Sequence, residues 1–163
     1  MPVTPFHFGP GAALHVIAPK HVSFIAFCAA NVIVDLESAY NLFTQQDRVH
    51  AFMHTYVGAT LAAFATVLLF VGMQRLARVA PLPNWFAWKA LTLMPVTIGA
   101  AAGAYSHIVL DSIMHGDMTP LSPFSSKNHL LAIVSIEALH WFCAGVGAVA
   151  VAVLAIRMRR PSS

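Results

Sequence analysis

The stretch GAYSHIVLDSIMHGDMTPLSPF, residues 103–124, turns abruptly from apolar to metal-binding side chains. His107, Asp111 and His115 follow one another at four-residue steps. On a helix such residues share one face, with Cβ atoms about 5–6 Å apart. An imidazole, a carboxylate and a second imidazole would then form one stripe, closed off by Pro120 and Pro123. Ionisable groups inside an apolar segment are expensive and mark function by default. A divalent cation would offset the Asp111 charge, and the plainer alternative is a hydrogen-bonded carboxylate–imidazole pair.

Other residues of the same chemistry recur along the chain. His50 and His54 repeat the four-residue step, with His54 the better candidate to point inward. Asp35 and Glu37 interrupt an apolar run, and two positions on a helix point about 200° apart. Asp35 is therefore the preferred ligand, and Glu37 is left as a second ligand, a support for one, or a general base. Glu137 and His140 stand three apart, the spacing of carboxylate plus imidazole in di-metal bundles. A buried structural pair explains them equally well. His50, His115, Glu137 and His140 are additional candidates, as ligands or as groups that orient ligands. Mixed oxygen and nitrogen donors suit zinc first, with manganese or iron as alternatives. With more than four candidates, one or two ions could be held.

The elements that must position these groups are membrane helices. Of the 163 residues, 58% are hydrophobic and 9% charged, against roughly 25% charged in soluble domains. The fold expected is an all-α integral membrane bundle, one domain over residues 1–163, since lipid admits no open strands. Four spans are read at about 22–43, 56–74, 90–114 and 130–156, preceded by a short helix at 8–18 that cannot cross a bilayer. Pro95 predicts a kink in the third span, and the run GAAAGA predicts close helix packing. Trp85 and Trp88 are placed as interface anchors. The first basic residue, Lys20, follows the first apolar stretch, an order unlike a signal peptide. Cys28 and Cys143 lie in apolar runs and read as packing residues. The small positive charge, with basic residues at segment ends, does not point to nucleic acid.

Lysine and arginine set the orientation. Lys20, Arg75, Arg78, Lys89, Arg157, Arg159 and Arg160 fall at one end of the spans, and Arg48 and Lys127 at the other. The basic end belongs in the cytoplasm. The opposite end then collects Asp35, Glu37, His50, His54, His107, Asp111, His115, Glu137 and His140. His7 joins them if residues 19–21 turn a helical hairpin, because His7 and Asp35 are equally far from that turn.

The order of these residues resembles a family. PFHFG near the start, an Asp-x-acid ending the first hairpin, His54-Thr55 opening the next span, and SHIVLDSIMHGDMTPLSPFS are similar to the membrane-bound metal-dependent hydrolases, the YdjM-like group of small bacterial inner-membrane proteins. That group is remotely similar to zinc-dependent phospholipase C and P1 nuclease. The resemblance covers nearly the whole chain and is sharpest at residues 106–125. It implies a helical membrane protein whose metal ligands are His7, Asp35, His54, His107 and Asp111. The family's His-Arg-x-x-Thr-His-Ser segment reads His50-Ala-Phe-Met-His54-Thr here, without the Arg and with the histidines one residue closer.

The function expected is metal-dependent hydrolysis of a phosphoester or lipid-like substrate at the outer face of the bacterial cytoplasmic membrane, with Glu37 as base. Membrane lipid is the expected partner. One alternative is a non-catalytic metal-binding or transport protein, though the stretch 56–73 offers only Thr60 and Thr66 toward a polar path. Another is a haem-binding electron-transfer protein using two facing histidines.

Overall fold

A computed structural model describes residues 4–159; the side chain of Trp85 and the whole of Arg160 lie outside the described residues. Among these there are five α-helices and no strands. They are α1 (Phe8–Ile17), α2 (Phe24–Phe43), α3 (Tyr56–Leu76), α4 (Leu93–Met114) and α5 (Ile136–Arg159), with short 3-10 turns at Thr4–His7, Phe52–His54 and Trp85–Ala90. Helix α4 packs against both α2 and α3, while α1 packs against α5.

Three helices, α3, α4 and α5, are long and apolar enough to cross a membrane, the mark of a membrane protein. This corrects the expected count of four. Helix α2 has 20 residues, but it is diluted by Asn31 and, in its second half, by Asp35, Glu37, Ser38 and Asn41. Its outward face is still apolar: Val32, Leu36 and Phe43 are exposed at helical spacing. The polar residues belong to a different stripe. Asn31, Asp35 and Ser38 follow at steps of four and three and face α4 and the Phe52–His54 turn.

The α2–α4 seam explains why the functional side chains can meet. Gly99 and Gly103 stand one turn apart on α4, and the next step of four is His107, then Asp111. A Cβ at Gly99 would overlap the Ser23 carbonyl, and one at Gly103 would overlap the Phe27 carbonyl and press on Asn31. Two backbones therefore approach closely, as small residues allow in helix pairs. Pro95 does not interrupt α4. It sits in the first turn, where a missing N–H is tolerated, and its carbonyl accepts the Ser23 N–H at 2.9 Å. Ser23 in turn caps α2, its Oγ accepting the Ala26 N–H at 3.2 Å.

The remaining spans start later than expected. The third opens at Leu93 and not at residue 90, because Trp85–Ala90 forms a 3-10 turn. The last opens at Ile136 and not at 130. Residues 130–135 are held back by the end of α4. Ala132 N–H donates to the Ile113 carbonyl at 3.0 Å, and Asn128 Nδ2 donates to the Ser112 carbonyl at 2.8 Å. Those carbonyls are left over at a helix C-terminus and need such partners. The loop after α4 also closes over the bundle: Met118 is buried, and Tyr56 N–H donates to the Pro120 carbonyl at 2.9 Å.

Candidate metal centre

Four side chains from three places converge at one end of the bundle. Asp35 comes from α2, His54 from the turn before α3, and His107 and Asp111 from α4; one ligand atom of each lies within 4.8 Å of all the others. Helix α4 supplies two because four residues make about one turn. His54 is fixed by its neighbours. Thr55 caps α3, its Oγ1 accepting the Gly58 N–H at 2.9 Å, so the residue before it is turned back over the helix start. Glu37 holds that turn from the other side, accepting the Met53 N–H at 2.6 Å.

The proton positions can be read from the hydrogen bonds. Asn31 Nδ2 donates to the Phe27 carbonyl at 2.9 Å, which aims Asn31 Oδ1 at His107 Nδ1, 3.0 Å away. An amide oxygen only accepts, so His107 carries a proton on Nδ1, and in the neutral ring it is Nε2 that faces the carboxylates as a bare nitrogen. The same holds for His54. Ser38 Oγ donates to the Val49 carbonyl at 3.2 Å and so accepts from His54 Nδ1 at 3.3 Å. Both imidazoles thus turn lone pairs toward two carboxylates.

The distances at the centre are compatible with ligands around an ion, and also with hydrogen-bonded His–Asp pairs. His107 Nε2 is 3.2 Å from both Asp35 Oδ1 and Asp111 Oδ2. His54 Nε2 is 3.6 Å from the same two oxygens. A tetrahedron with metal–ligand bonds of about 2.0–2.1 Å has edges of about 3.3 Å. Four such donors facing one another in a buried site need positive charge among them, from protons on the imidazoles or from a bound cation. His107 Nε2, His7 Nε2 and Asp111 Oδ1 are all buried, and beyond these His–Asp contacts they have no hydrogen-bond partner. These buried His and Asp groups could hold a metal ion. With Asp35 and Asp111 ionised, a divalent ion would leave the group neutral, which a low-dielectric site favours.

His7 sits against this group in a different role. Its Nδ1 is 3.0 Å from His107 Nδ1 and its Nε2 is 3.2 Å from Asp111 Oδ1. The His107 proton is already on Nδ1, so His7 Nδ1 is the acceptor. Its ring then turns Nε2 toward the far oxygen of Asp111. His7, expected as a ligand, stands beside the two ligand groups and outside them, where an imidazole can orient a ligand.

Two further histidines extend the site toward the loop after α4. His50, Asp111 and His115 form a second group of ligand atoms within 4.8 Å of one another. The His50 and His115 rings stack at 4.1 Å, and His50 lies edge-on to His54 at 4.8 Å. Burial, and then the neighbouring His50, hold the His115 imidazole below its usual pKa, so it is neutral near pH 7. Burial works against the Asp117 carboxylate, but its hydrogen bonds to His50 hold it below the usual carboxylate range.

The structure places the other sequence candidates elsewhere. Glu37 is committed to the Met53 amide. Glu137 is exposed, and His140 stacks on Phe6 at 4.7 Å with a buried Nε2. Neither Glu137 nor His140 belongs to the two ligand groups. Sequence reasoning passed over Asn31, Ser38 and Asp117. The first two had a signal: they are four before and three after Asp35, on its own helical stripe. Asp117 had none, since its tie to His50 crosses 67 residues.

No curated protein and no solved structure matches the chain. A family model does match, that of the domain of unknown function DUF4184, over residues 1–162, and the chain belongs to that family.

Proposed function

We propose that this chain is a membrane-bound metal-dependent hydrolase, acting on a phosphoester or lipid-headgroup substrate at the extracytoplasmic face of a bacterial cytoplasmic membrane. The observation that carries the metal reading is the meeting of bare His54 and His107 nitrogens with Asp35 and Asp111 oxygens at 3.2–3.6 Å. Zinc suits this donor set best, with manganese or iron as alternatives. When bound, such an ion polarises a phosphoryl oxygen and lowers the pKa of water.

The chain's own residues do the rest. Asn31 and Ser38 hold the two imidazoles by Nδ1, and His7 steadies Asp111. The buried side of the group excludes water. Asp35, whose side chain is 27% exposed, is the side from which a substrate would approach. Glu37, expected as a base, accepts the Met53 amide and so also positions His54 through the turn it fixes. The resemblance of residues 106–125 to the YdjM-like hydrolases supports the same reading. Transport is less well supported. Thr60 Oγ1 and Thr66 Oγ1 both donate to carbonyls of their own helix, at 2.8 and 2.7 Å, and build no polar path along α3.

The test is elemental analysis of the full chain purified in mild detergent, beside His107→Ala and Asp111→Ala. Bound metal in the wild type, lost from both variants, is expected, together with metal-dependent cleavage of a chromogenic phosphodiester or a phospholipid. A wild type that holds no metal even after reconstitution overturns the proposal. Metal without cleavage of any phosphoester leaves the binding site and removes the hydrolase.

A further inference from the structure

We infer that the site is built for two cations side by side, with a second ion held by His50 and His115 and bridged to the first through Asp111. The inference rests on the metal reading above and deepens it.

The geometry of His50 separates a ligand from an ordinary loop histidine. Its Nδ1 lies 3.0 Å from both oxygens of Asp117, and its backbone N–H donates to Asp117 Oδ2 at 3.2 Å. A carboxylate only accepts, so the proton sits on Nδ1 and Nε2 is left bare. This is the carboxylate–histidine–metal arrangement, in which the outer carboxylate fixes the tautomer and raises the basicity of the ligating nitrogen. His50 is 8% exposed although it lies in a connecting segment.

His115 and Asp111 supply the other two donors. His115 is the residue at which α4 ends, one turn after Asp111, and its backbone N–H still donates to the Asp111 carbonyl at 2.8 Å. Its ring is thereby carried on the same helical stripe as His107 and Asp111. Asp111 belongs to both groups of ligand atoms. A carboxylate shared between two groups is how two ions are held about 3.5–4 Å apart. The edge-on contact of His50 with His54, at 4.8 Å, makes the two centres neighbours.

Charge and coordination agree with this use. The second group offers three protein donors, which leaves an open position, the feature that separates catalytic from structural sites. Asp35, Asp111 and Asp117 together carry one negative charge fewer than two divalent ions carry positive. The surplus would draw an anionic ligand such as a phosphoester to the open position.

The experiment uses the full chain in mild detergent, stripped and titrated with Mn²⁺, with bound metal counted by elemental analysis and the ions observed by electron paramagnetic resonance. The wild type is expected to take up two equivalents and give the spectrum of an exchange-coupled pair. His115→Ala should keep one equivalent and show an isolated ion. Asp117→Asn, which keeps size and leaves all ligands in place, should weaken the second equivalent by about 10–100-fold and spare the first. A wild type that saturates at one equivalent, with affinity unchanged in His115→Ala and Asp117→Asn, overturns the second ion while the first stands. A wild type that binds none overturns both.

Discussion

The side-chain carbonyl of Asn31 decides what His107 can do. Because it receives the Nδ1 proton at 3.0 Å, His107 Nε2 is presented bare to Asp35 and Asp111. His54 is set in the same way by Ser38, and its titration can be followed outside the spans. Burial opposes a charge on His54, but hydrogen bonds with Asp111 and Asp35 outweigh it, and its pKa is raised above the usual value. In the metal-free protein a proton therefore stands where the cation would. Stability from that proton is fully present below the unfolded pKa of about 6.5 and is lost as pH rises through the folded value. A metal requires the bare nitrogen, so its affinity rises as the proton leaves. The melting temperature of the stripped protein should fall as pH is raised from about 6 upward, while the extra stability given by metal grows. Melting curves with and without metal across that range check this; parallel pH profiles would contradict it. At this scale the sequence exposed the charged and imidazole donors, since they are rare in an apolar chain. It did not expose the neutral residues that aim them, because an Asn or Ser in a helix has many ordinary uses.

At the scale of elements, the centre depends on how closely α2 and α4 approach. Gly103 faces the Phe27 carbonyl and Asn31, so anything larger pushes α2 away and takes Asn31 off His107. Gly103→Ala should cost about 1–3 kcal/mol by overpacking, and it should weaken metal binding although it touches no ligand. Gly72→Ala is the contrast. A Cβ there meets nothing within 4 Å, and alanine in place of glycine should stabilise α3 by up to about 1 kcal/mol. Melting temperature and metal titration of the two variants decide the matter; equal behaviour would mean that the seam does not hold the site. The small-residue run GAAAGA made this seam legible before any coordinates. The start of α5 was not legible, because residues 130–135 are apolar enough to look helical. Only their contacts with the end of α4, through Ala132 and Asn128, keep them out of it. Helix α2 misled in the opposite direction. Its length fits a span, yet its polar residues serve the site, and composition alone does not separate a lipid face from a site face.

At the scale of the molecule, both ligand groups and the start of α5 lie at one end of the bundle, and most of the described Lys and Arg residues, all but Arg48 and Lys127, lie at the other. Arg157 secures that basic end, donating to the Val16 carbonyl at 2.9 Å and so tying α5 to α1. Gln74 donates to the Leu91 carbonyl at 2.9 Å and ties the end of α3 to the approach of α4. Exposed apolar side chains, among them Phe64, Leu68, Leu69, Trp141, Phe142 and Val151, clothe α3 and α5 between the two ends. These are faces that water would disfavour and lipid would not. The charge asymmetry then predicts which end meets which compartment, since a basic end resists translocation. Single cysteines at Ser126, beside the site, and at Val79, at the basic end, report it in a background where Cys28 and Cys143 are replaced by alanine; Ser126 and Val79 are both exposed. A membrane-impermeant maleimide applied to intact bacterial spheroplasts should label Ser126→Cys at once and Val79→Cys only after the membrane is opened. The reverse pattern would place the metal centre in the cytoplasm. The proposed hydrolase would then have to find its phosphoester in the cytoplasm or the inner leaflet, with the grouping of Asp35, His54, His107 and Asp111 unchanged.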